Sequence, residues 1–105
     1  MTAEELLIPL KENLVVEHSA DDALLLRYLS SAISYAEGYQ KKGPNYYQEN
    51  AMTDSTKHAV IILASFFYES RDGSTAGFFS DSPQAAEQVW ETVKLLLQGD
   101  RDVIL

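Results

Sequence analysis

The sequence predicts an all-α fold, a small four-helix domain with a buried third helix. Apolar residues recur at three- and four-residue steps along the longer segments, which is the helical period. Capping residues and Gly or Pro breakers separate those segments. The stretch Thr53 to Arg71 has a middle, Ala59 to Tyr68, that is apolar at every position but Ser65. A surface helix carries one apolar stripe, whereas a helix apolar all round has to be covered on most sides. The run is about ten residues, roughly half of what a bilayer span requires. Burying about eight large side chains contributes on the order of 10–20 kcal/mol before chain entropy is subtracted.

The first helix is expected from Thr2 to about Asn13. Thr2 and Glu5 have capping-box spacing, and Leu6, Leu7, Leu10 and Leu14 form one apolar edge. Pro9 falls inside it, removing a backbone donor, so the helix either kinks there or begins at Ile8. Ser19 is the expected cap of a long second helix reaching about Gln40, with Asp21 and Asp22 in its first turn, where the dipole favours negative charge. Leu25, Leu29, Ala32, Ile33, Ala36 and Tyr39 make its stripe. Lys41 to Met52 reads as a loop because Gly43-Pro44 breaks any helix. Its Tyr46 and Tyr47 are expected to fold back on the core, rings buried and hydroxyls wet.

Thr53 caps the central helix, which runs to Arg71, a cation suited to its last turn. Asp72 to Asp81 reads as a loop from its two glycines and small polar residues, with Phe78 and Phe79 in its middle. Ser82 and Pro83 start the last helix, whose stripe is Ala86, Val89, Trp90, Val93, Leu96 and Leu97. Gly99 ends it, before a tail with the apolar tip Val103-Ile104-Leu105.

The 105 residues suit one domain, residues 1–105, with one core. Sixteen acidic against eight basic residues leave a formal net charge of −8. That balance disfavours sequence-independent DNA binding, which requires Lys and Arg against phosphates. No cysteine is present, so disulfide and thiol chemistry are excluded. The N-terminal stretch has no basic flank, apolar run or cleavage site, so the expectation is a cytoplasmic protein without membrane attachment.

Enzyme chemistry finds little support. His18 and His58 are forty residues apart and lie near helix starts, and His58 has no metal-ligand partner at i+4. The pairs Glu4-Glu5 and Asp21-Asp22 occupy first turns, where the dipole explains them. No GxSxG serine and no phosphate loop is present. No catalytic, cofactor-binding or metal residue is therefore expected, and no cofactor. The aromatics of the two loops stand out instead, because exposed aromatics mark partner sites. Phe78 and Phe79 either tuck under the last helix or meet a partner.

The segment AVIILASFFYESRD, Ala59 to Asp72, resembles the hallmark helix of the tailed-bacteriophage head–tail connector (head-completion adaptor) family. The matching positions are Ala59, Ile62, Leu63, Ala64, Phe67, Tyr68, Glu69 and Arg71. Upstream, Lys11 to Leu14 and the acidic helix start Asp21 to Leu25, continuing through Ala32-Ile33 to Glu37 and Tyr39, are similar to the same family. Leu95 to Leu97 and then Arg101 echo its end. The likeness covers roughly residues 5–75. Pro9 and the Trp90-bearing last helix depart from the pattern.

The resemblance implies a structural, non-enzymatic phage or prophage protein. It would form a homo-oligomeric ring beneath the portal, extend the DNA channel, and receive the next connector or tail component. It would be made in the host bacterial cytoplasm and end at the head–tail junction of the virion, and the resemblance allows an isolated chain that is monomeric until it docks. DNA passes through such a ring without specific binding, and the second helix, with Glu37 and its acidic first turn, is a candidate lining. Candidate protein-interaction residues are Tyr46, Tyr47, Glu69, Arg71, Phe78 and Phe79. The alternative is a small cytoplasmic regulatory or adaptor module that binds one protein partner.

Overall fold

The computed structural model describes residues 1–70 and 83–102. It contains α1 (Ala3–Leu14), α2 (Asp22–Tyr39), α3 (Tyr46–Glu49), α4 (Asp54–Glu69) and α5 (Pro83–Gln98), with no strand among the described residues. The fold is all-α, as the periodicity predicts. The four long helices are the four expected, and α3 is a single extra turn.

The central run of α4 packs against α1, α2 and α5. Ala59, Val60, Leu63, Ala64 and Tyr68 are buried, and they share one core cluster with Leu6 and Leu10 of α1, Leu25, Leu29, Ala32 and Ala36 of α2, and Val93 and Leu97 of α5. Ile61, Ile62, Phe66 and Phe67 are only half-buried. Ile62 and Phe67, expected in the core, therefore lie at its margin. The one polar position in the run, Ser65, is satisfied because Asn13 Nδ2 donates to its hydroxyl at 2.8 Å. Trp90 of α5 closes the α2–α4 seam edge-on to Tyr35 at 5.1 Å and to Phe66 at 6.2 Å. Among the described residues α1 and α5 make no packing contact, so α2 and α4 separate them.

Helix ends depart from the sequence expectations in instructive ways. α1 runs from Ala3 through Pro9 rather than beginning at Ile8. Thr2 does not form the capping box, and its hydroxyl reaches the Glu5 carboxylate at 3.4 Å instead of a backbone amide. The cap of α2 is Asp21 rather than Ser19, with no side-chain capping bond. Both first-turn acids have tertiary partners: Tyr68 Oη donates to Asp21, and Lys11 Nζ lies 2.8 Å from Asp22. Thr53 caps α4 as predicted, accepting from Thr56 N–H at 3.3 Å.

Two helices end in left-handed residues that are not glycine. Val15 (φ 57°) ends α1, with Val16 N–H bonding Lys11 C=O and Val15 N–H bonding Glu12 C=O, the paired bonds of a Schellman motif. Lys41 (φ 65°) ends α2 in the same way, through Lys42 N–H to Glu37 C=O and Lys41 N–H to Gly38 C=O. A left-handed L-residue costs roughly 1–2 kcal/mol, and a β-branched one is a genuine outlier.

Packing on several sides makes Leu63, 1% exposed, sensitive to truncation. Leu63→Ala should cost about 2–5 kcal/mol in urea denaturation, whereas Ile62→Ala, at the core margin, should cost clearly less.

Candidate functional site

The predicted loop 41–52 is better ordered than its composition suggests. Asn45, left-handed at φ 63°, turns the chain after Pro44 into α3. The Glu37 carboxylate accepts Tyr47 N–H at 3.0 Å, fastening the start of α3 to α2. Glu37 is thereby 6% exposed, its carboxylate engaged by α3, which counts against the expected role for its charge in a channel lining. Asp21 and Asp22, the other acids invoked for that lining, are engaged with Tyr68 and Lys11.

Tyr47 is buried and Tyr46 half-buried, their rings edge-on at 5.0 Å. Tyr47 Oη donates to Gln40 Oε1. Gln40, fully buried, donates through Nε2 to Thr56 Oγ1 at 2.8 Å and to Leu97 C=O at 3.1 Å. The Thr56 hydroxyl donates to Asp100 at 2.8 Å, and the Thr53 hydroxyl donates to the same carboxylate. One polar chain thus ties the C-terminal end of α2, α3, the first turn of α4 and the segment after α5. Burial pushes the Tyr47 phenol up, which keeps it a neutral donor. The Thr53 and Thr56 hydroxyls hold Asp100 below the usual carboxylate range.

At the rim of this network the Lys42 ammonium sits 5.1 Å from the centre of the Tyr46 ring and 2.6 Å from Asp102. The hydrogen bond to Asp102 raises the Lys42 pKa. Asp102 N–H donates to Gln40 C=O at 2.8 Å, so the chain beyond α5 is bonded back onto α2. Arg101 stacks 5.2 Å from the Tyr39 ring.

Among the described residues, the predicted interaction residues fall in two separate places. Tyr46 and Tyr47 lie beside the first turn of α4, and exposed Glu69 lies in its last turn. At 1.5 Å per residue these ends are about 20 Å apart along the axis. Arg71, Phe78 and Phe79 lie outside the described residues, as does the tip Val103 to Leu105. Sequence reasoning missed Gln40, Thr56 and Asp100. Gln40 and Thr56 are 16 positions apart, and Thr56 and Asp100 are 44 apart, so no local pattern marks them.

His18 and His58 are exposed, and His18 Nδ1 accepts Ala20 N–H. A recess of about 370 Å³ between α1 and α2 is lined by Thr2, Glu4, Ser30, Ser34 and Glu37, with no His or Lys among its lining residues to act as a base. Among the described residues no group of three or more His, Cys, Asp or Glu could hold a metal ion. No helix among them is long and apolar enough to cross a membrane.

The Asp100 bonds carry a pH signature. A carboxyl whose folded pKa is depressed stabilises the fold above its unfolded value, and the contribution is lost as pH falls through the folded one. Asp100→Ala should cost about 1–3 kcal/mol at pH 7. The gap between variant and wild type should close as pH drops below about 4, in paired denaturation curves.

Comparison with known proteins places these features. No curated protein and no solved structure matches the chain. A family model described as "Phage gp6-like head-tail connector protein" matches residues 5–99, which includes α5 and so extends beyond the span of the sequence resemblance. With nearly the whole chain matched, this protein belongs to the phage gp6-like head-tail connector family.

Proposed function

We propose that residues 1–105 act as one connector domain that assembles into a homomeric ring at the head–tail junction. The ring docks on the portal, extends the DNA channel, and presents a surface for the next connector or tail component. The observation that carries this reading is the family match over residues 5–99. Family membership also supports a structural rather than an enzymatic role. Synthesis in the host cytoplasm and a final place in the virion follow from the same reading.

The physical properties suit a conduit. A net charge of −8 repels phosphate, so DNA can pass without being held. Lys11 and Lys42 are committed to Asp22 and Asp102, and Arg101 stacks on Tyr39, which limits the cations open to a backbone. Tyr46, half-buried, and Glu69, exposed, are candidate contacts with neighbouring proteins. Arg71, Phe78 and Phe79 complete that proposed set. Tyr47 is buried, which suits holding Tyr46 in place rather than touching a partner.

Electron microscopy of portal-bearing heads incubated with the purified protein tests the reading. Ring density should appear beneath the portal, and those heads should accept tails. Heads that join tails equally well without the protein would overturn it. Phe78→Ser combined with Phe79→Ser should keep helicity and melting temperature while lowering ring occupancy. Unchanged docking would remove these two residues from the contact set.

A further inference from the structure

We propose that neighbouring copies of this chain join head to tail, with Leu95 of α5 on one copy seated in an Ile8–Val15 groove of α1 on the next. The inference rests on the ring reading above and names the two surfaces that build the ring.

Three large hydrophobic side chains are exposed among the described residues: Ile8 at 69%, Val15 at 83% and Leu95 at 70%. Ile8 and Val15 stand two turns apart on α1. With Val16 and the stem of Lys11 they line a shallow groove of about 490 Å³. Leu95 stands on α5, and α1 and α5 do not touch. The two apolar surfaces therefore cannot meet within one chain, but they can meet between copies. A contact between two different surfaces repeats from copy to copy, and it closes into a ring when the rotation allows. A contact of one surface with itself stops at a dimer.

Charge disfavours groove against groove. Glu12 and Glu17 rim the groove, and its one cation, Lys11, is paired with Asp22 at 2.8 Å. Groove against groove would bring four carboxylates together. Exposed Lys94 adjoins Leu95, with Glu91 one turn back along α5. Leu95 seated with the Lys94 flank of α5, rather than the Glu91 end, toward Glu12 and Glu17 sets a cation beside the acidic rim.

Val15 adds an independent argument. Its left-handed conformation is the one that glycine fills most easily at a helix end. An exposed β-branched side chain there strains the isolated chain and buries nothing in it. Strain of this kind collects at contact sites.

The test uses full-length protein on portal-bearing heads. Because the chain has no cysteine, Ile8→Cys with Leu95→Cys reports the contact cleanly. Oxidation should give a ladder of linked copies on heads, whereas Leu95→Cys alone should give none. Leu95→Glu should abolish rings without lowering the melting temperature. Val15→Gly should melt at the same or a higher temperature yet need about tenfold more protein to form rings. Lys94→Glu should weaken assembly, and adding Glu12→Lys should restore it. Rings that persist unchanged in Leu95→Glu, or a Leu95→Cys dimer, would overturn this contact and leave the ring reading standing. Wild-type protein that forms no ring on heads would overturn both.

Discussion

The run Ala59 to Tyr68 of α4 cannot stay in water, and the need to cover it places the other helices. Leu6 and Leu10 cover it from α1, Leu25 and Leu29 from α2, and Val93 and Leu97 from α5. Nonpolar burial has no direction of its own, so it brings these helices together without deciding how they are oriented. The small residues Ala32, Ala36, Ala59 and Ala64, all essentially unexposed, let helix backbones approach closely where α2 and α4 meet.

Orientation comes from directional bonds at the two ends of α4. At its start, Gln40 spends its whole amide on Tyr47, Thr56 and the Leu97 carbonyl. At its end, Tyr68 holds Asp21, and Asn13 holds Ser65 from α1. A buried amide or hydroxyl left without its partner costs about 1–3 kcal/mol, so each bond penalises a slipped register. The apolar middle thus supplies the attraction, and the polar ends select one arrangement from those it would tolerate.

That division leaves the outer surface free for assembly. Acids that look available in the sequence, Glu37, Asp21 and Asp22, are consumed inside the fold. Those that remain on α1, namely Glu4, Glu5 and Glu12, surround apolar side chains that the fold does not need. In the proposed role, the chain has to be stable alone and adhesive only at its docking site. Flanks combining a few apolar side chains with like charge meet both demands, because like charge discourages wrong pairings while complementary patches still meet.

The fold class, the four long helices, the Thr53 cap and the central burial were legible in the sequence. Each is written locally, as a 3.6-residue period, a capping hydroxyl or a breaker. The family was legible for the same reason, since its hallmark is one contiguous helix. Tertiary structure alone decided the rest. It turned part of a Gly-Pro loop into α3, where a carboxylate ten residues upstream accepts the Tyr47 amide. It moved the cap of α2 from Ser19 to Asp21 and gave Asp21 and Asp22 partners on other helices. It assembled the Gln40–Thr56–Asp100 chain from residues far apart in sequence. Hydrogen bonds and exposure depend on which helix faces which, and that follows from how the chain closes around α4 rather than from any local run of residues.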